Sequence, residues 1–132
     1  MEPGSTTKSK TPASLDGEAG AAGLGVTPAE RQLDSWEEKV LNELEELEKK
    51  WVERRKELLS EAKTLREQNA ESAIDKAVNI EEYVSVVNGL FNEAKAELSI
   101  EIDARLEGNY IDMASAAKRV NEALDFLRIL VR

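Results

Sequence analysis

Carboxylates are the only side chains in this sequence that occur in numbers and could do chemistry. The chain has no histidine and no cysteine, which removes imidazole acid–base catalysis, thiolate nucleophiles, disulfides and zinc sites of the usual ligand types. Acids cluster twice, as Glu43, Glu45, Glu46 and Glu48 and again as Glu97, Glu101, Asp103 and Glu107. A di-iron bundle would use inward carboxylates partnered by Glu-x-x-His, and there is no histidine to complete it. A calcium loop of the Asp-x-Asp-x-Asp-Gly kind is absent too. At helical spacing most of these acids fall opposite the apolar residues, so they are expected on solvent faces. No catalytic residue, cofactor or metal is expected from them.

Basic residues gather once, in Lys49-Lys50-Trp51-Val52-Glu53-Arg54-Arg55-Lys56, a run with an aromatic inside it that could suggest nucleic acid. Trp51 belongs to an apolar helical stripe and is not free to stack on bases, and the formal net charge of −9 repels phosphate. No glycine-rich phosphate loop is present. Nucleic acid and anionic membrane surfaces are therefore disfavoured, and a basic or neutral protein partner is the natural expectation.

Those residues must be positioned by helices, and the longest is expected over Thr27–Gln68. Leu33, Trp36, Val40, Leu44, Leu47, Trp51, Leu58, Ala62 and Leu65 fall within roughly 80° of one another at a helical period. Thr27-Pro28-Ala29-Glu30 supplies an N-cap, a proline at the first helical position and a capping-box glutamate. Ser35-Trp36-Glu37-Glu38 offers a second box, read as internal because Leu33 is already in phase. Acids crowd the first half and bases the second, as the helix dipole prefers. Some 40 residues at 1.5 Å make a rod of roughly 60 Å. Leu44, Trp51, Leu58 and Leu65 recur every seven residues, but the companions Arg54, Glu61 and Gln68 are polar, so a sustained coiled coil is half supported.

Beyond Gln68 the phase breaks, and residues 69–78 are expected to form a bend or short turn. Asn79-Ile80-Glu81-Glu82 is a capping box, and Val78 with Tyr83 makes a hydrophobic staple, so a second helix is expected from Asn79 to about Glu107. Its face is Tyr83, Val84, Val87, Leu90, Phe91, Ala94, Leu98 and Ile102, with Gly89 on the opposite side. Leu98, Ile100 and Ile102 also alternate as a strand would, but no second alternating run could pair with them. Gly108 should end this helix and Asn109 should cap the next, giving an antiparallel hairpin whose third helix starts at Tyr110. That helix presents Met113, Ala114, Ala117, Val120, Leu124 and Leu127, while Phe126, Ile129 and Leu130 point away from the main stripe. The stretch Gly108-Asn109-Tyr110-Ile111-Asp112-Met113-Ala114 resembles hairpin turns in several unrelated helical families, including vesicle-tethering subunits and the client-binding domains of some co-chaperones. The likeness is short and implies no catalytic or ligand motif.

A chain of 132 residues allows one domain at most. Residues 1–26 hold five of the seven glycines and two of the three prolines and read as a disordered tail. Aromatics are only 5% against 34% charged residues, so the core must come from Leu, Val, Ile and Ala. There is no apolar signal region and no stretch approaching 18 apolar residues, so neither a signal peptide nor a membrane span is expected. Cytoplasm or nucleus follows as the expected location.

The expected fold is all-α: a tail over residues 1–26, a long amphipathic helix over 27–68, a bend over 69–78, and a helical hairpin over 79–132 packed on the long helix. Two short helices cannot cover so long a rod, so either an end stays bare or the rod kinks near Arg54 and Arg55 into a four-helix bundle. The expected function is a non-enzymatic interaction subunit, an adaptor or scaffold component. Its contact residues are Trp36, Val40, Leu44, Leu47, Trp51, Phe126, Ile129 and Leu130, placed against another helical protein or another copy of itself. The alternative is a co-chaperone-like or regulatory domain that binds a client peptide in an interhelical groove.

Overall fold

The computed structural model describes residues 32–131. It is all-helical there, with α1 over Ser35–Glu67, α2 over Glu71–Leu106 and α3 over Tyr110–Leu130. The tail over 1–26 and the Thr27 cap lie outside the described residues.

The first helix starts later than its apolar phase suggests. Residues 32–34 are not helical, and the cap is Asp34. Its Oδ1 accepts the Glu37 amide at 2.7 Å, and Glu37 Oε1 accepts the Asp34 amide at 2.8 Å, a complete capping box. The box signal read as internal is thus the true start, displaced by one residue to Asp34. From there α1 runs 33 residues without interruption through Arg54 and Arg55, so the fold-back into four helices does not occur.

The bend expected over 69–78 shrinks to three residues. Asn69 takes the left-handed conformation (φ 54°), which asparagine tolerates better than most residues, and α2 begins at Glu71. The capping box at Asn79 is a decoy, because α2 passes straight through it. The phase is carried by Ala73 and Ala77, both buried, while the bulkier Ile74 is only half-buried. Ala77 lies seven residues before Val84 on the same stripe. Small side chains there, like the equally buried Ala62 near the end of α1, suit two helices joined by so short a turn.

The second turn forms as the sequence indicates. Gly108 adopts φ 76°, the Asn109 amide donates to the Ala104 carbonyl at 2.8 Å, and the Asn109 side chain caps α3 by accepting the Asp112 amide. The Leu98–Ile102 stretch is helical, with Leu98 and Ile102 buried and Ile100 exposed.

The long α2 is the central element, packed along both α1 and α3, while α1 and α3 meet each other over a small area that includes the Glu43–Arg128 pair. Val40, Leu44, Leu47, Trp51 and Leu58 from α1 meet Val84, Val87, Phe91, Ala94, Leu98 and Ile102 from α2, with Val120, Ala123, Leu124, Leu127 and Val131 completing the core. Trp51 Nε1 donates to Asn88 Oδ1 at 2.8 Å, and its ring meets Tyr83 edge to face at 5.8 Å. Tyr83 in turn donates its hydroxyl to the Leu130 carbonyl. The α3 helix therefore ends alongside Tyr83, and α1 and α2 continue past it as a pair to the Asn69 turn, where Arg66 and Glu81 close the pair with bonds of 2.6 and 2.8 Å.

This packing sets two expectations for stability. Leu44→Ala, at a site 2% exposed, should lower stability by about 2–5 kcal/mol in urea unfolding. Gly89→Ala has open space for its Cβ and should raise stability by about 1 kcal/mol in the same assay.

Candidate functional site

Of the eight expected contact residues, four are used inside the chain. Val40, Leu44, Leu47 and Trp51 are buried in the core, so the α1 stripe is not a docking face; α2 covers it. Trp36 and Leu130 are half-buried and pack against that core. Only Phe126 (57% exposed) and Ile129 (59%) stay open to solvent. Three residues apart on α3, they share one side of that helix. Leu106, Tyr110 and Ile111, around the Gly108 turn, are also exposed; flanking a turn, they carry no helical-stripe signal in the sequence.

The second correction concerns the acids. Most are on the surface or in surface ion pairs, such as Glu43 with Arg128 at 2.5 and 2.8 Å, Glu48 with Lys95 at 2.7 Å and Glu97 with Arg119 at 2.8 Å. Glu37 and Glu101 are not: they are the only buried polar or charged residues among those described. Both are in phase with their apolar stripes. Glu37 lies three before Val40 and seven before Leu44, and Glu101 lies three after Leu98 and seven after Ala94. That phase is the signal the sequence carries for their burial, against the ordinary preference of acids for solvent.

The two glutamates meet where the start of α1 packs against the last turns of α2, and Arg105 organises them. Arg105 Nε donates to Glu37 Oε2 at 2.6 Å and Nη2 to Glu37 Oε1 at 2.8 Å, a bidentate pair. Nη2 also reaches the Gln32 carbonyl at 2.6 Å. Asp34 Oδ2 stands 3.5 Å from Nε. One oxygen each of Asp34, Glu37 and Glu101 lies within 4.8 Å of the others.

Their protonation diverges as unequal environments require. Burial works against the charge of Glu37, but hydrogen bonds from Arg105, Glu101 and the Asp34 backbone outweigh it and hold its pKa below the usual range. Burial, followed by the neighbouring Glu37 and Asp34 carboxylates, pushes Glu101 up to about 8, with Arg105 opposing. At neutral pH Glu101 is then largely a neutral acid facing a charged Glu37.

No protein-family model, curated protein or solved structure matches this chain. No helix among the described residues is long and apolar enough to cross a membrane.

A pH dependence follows. The folded chain holds a proton on Glu101 that the unfolded chain releases near its ordinary value of 4.5, so this group's contribution is full below 4.5 and is lost as pH rises through about 8. Glu37 has the opposite sign, favouring the fold above its ordinary 4.5 and losing that contribution as pH falls. In chelator-containing buffer, Glu101→Gln should melt higher than the parent chain at pH 8.5, with the difference shrinking toward pH 5. A difference independent of pH would contradict this assignment.

Proposed function

We propose that the chain is a non-enzymatic helical interaction subunit that docks on a partner protein through the outer face of α3. The supporting observation is the exposure of Phe126 and Ile129 on one side of α3, while Val120, Leu124 and Leu127 of the same helix are inside. An aromatic next to an aliphatic residue, surrounded by polar groups, is the usual composition of an interface anchor. The surrounding groups here are acidic. Glu122 precedes Phe126 by one helical turn and Asp125 precedes Ile129 likewise, both exposed, with Asp125 paired to Arg128 at 2.9 Å. A partner with an apolar groove and a basic rim fits this face and the net charge of −9. Inward positions are apolar except for Glu37 and Glu101, which supports a binding role over turnover.

The double variant Phe126→Glu with Ile129→Glu should keep parental helicity and stay within about 0.5 kcal/mol of parental stability, because both sites are exposed. A photoreactive amino acid at position 126, activated in cells that express the chain, should give a discrete protein adduct that disappears when Ile129→Glu is added. Labelling that is diffuse, or unaffected by Ile129→Glu, would overturn this docking face.

A further inference from the structure

We propose that Asp34, Glu37 and Glu101 form a site for one hard divalent cation, which fastens the start of α1 to the last turns of α2. The oxygens available, one from each carboxylate within 4.8 Å of the others, lie no farther apart than ligands of one ion bonded at about 2.3–2.6 Å can lie.

An acidic cluster alone would not indicate a ligand. The observation that does is Glu101, whose residue is 3% exposed and whose Oε1 accepts no hydrogen bond. Buried carboxylate oxygens are ordinarily bonded; beyond the hydrogen bond that Glu101 shares with Glu37, this oxygen has no donor, and a cation would supply a partner. The acceptors around it are unevenly used. Glu37 Oε1 takes the Asp34 amide and Arg105 Nη2, Glu37 Oε2 takes Arg105 Nε, and Asp34 Oδ1 takes the Glu37 amide. Asp34 Oδ2 has Arg105 Nε only at 3.5 Å, too long for a hydrogen bond. Each carboxylate thus retains acceptor capacity toward the cluster.

Charge leads to the same occupant. Once the proton on Glu101 is displaced, three carboxylates face one guanidinium and leave two negative charges, which a divalent cation cancels. A proton joins only two oxygens; a metal ion meets all three. Asp34 is exposed, which gives the ion a path from solvent and leaves room for the waters that complete six to eight ligands. With three carboxylates already sharing Arg105, affinity should fall in the weak range of about 10⁻⁴–10⁻³ M.

The test uses the full chain, stripped with chelator and titrated with calcium chloride by calorimetry, with melting followed by circular dichroism. One calcium per chain and a rising melting temperature are expected. Glu101→Gln and Asp34→Asn should each weaken uptake at least tenfold, while Glu45→Gln with Glu46→Gln, on the surface of α1, should leave it unchanged. Asp34→Asn keeps a good helix cap, so its calcium uptake can be measured on a folded chain even if Glu101→Gln disturbs the fold. No saturable uptake at millimolar calcium would overturn the site and leave a shared proton as the partner of Glu101. Uptake by Glu101→Gln and Asp34→Asn equal to that of the parent chain would also overturn it, assigning the binding to scattered surface acids.

Discussion

A buried indole makes two demands at once: its large apolar area must leave water, and its N–H must find an acceptor there. Trp51, midway along α1 and 1% exposed, meets both on α2, with Asn88 as acceptor and the Tyr83 ring as edge-to-face neighbour. The hydroxyl of Tyr83 then reaches the last turn of α3 at the Leu130 carbonyl. One side chain thereby sets how α1 lies along α2 and, through Tyr83, where α3 stops. Leucine at position 51 could supply apolar area but not this directional contact, so the register between helices rests on few polar atoms inside an otherwise aliphatic core.

The opposite end of the α1–α2 pair is held by different physics. There Arg105 grips Glu37 with two short bonds, and Glu101 is buried beside them. Desolvating charges is expensive, and a bridge of this kind adds less to stability than an apolar contact of the same size. What it supplies is directional: Glu37 serves both as the N3 member of the α1 capping box and as the acceptor for a residue near the end of α2. The start of α1 and its packing on α2 are therefore determined together. A helix beginning at Thr27 and running on unbroken would place Asp34 inside the helix, where its side chain could not cap the Glu37 amide.

Burial also redistributes what the surface can offer. The apolar stripe of α1 is as good a docking face by composition as any in the chain, yet α2 covers it, and α3 is left with Phe126 and Ile129 outside. A helix of 36 residues between one of 33 and one of 21 can bury two stripes on itself, but the outer side of each flanking helix stays open. Which apolar residues remain for a partner is thus decided by which helix takes the middle position, and α2 takes it because its apolar arc is broad enough to serve both neighbours.

That the described residues are all-helical is legible in the sequence alone, because from Leu33 onward apolar residues recur at a helical period and no second alternating run exists for a strand. The sequence also determined the Gly108–Asn109 turn, since a left-handed residue followed by an N-cap leaves few other conformations, and the chemical poverty that follows from lacking histidine and cysteine. Tertiary structure decided the rest. Asp34 and Asn79 each belong to a good local capping signal, and only packing shows that the first starts a helix and the second lies within one. Ala73 and Ala77 read as weak, but close approach of two helices favours small side chains. Glu101 reads as a solvent-facing acid, and only the neighbouring helix, bringing Glu37 and Asp34 to it, makes it a buried group with a raised pKa. Local sequence records preferences worth about 1 kcal/mol each; burial against another helix involves several times that per residue, so where the two conflict packing prevails.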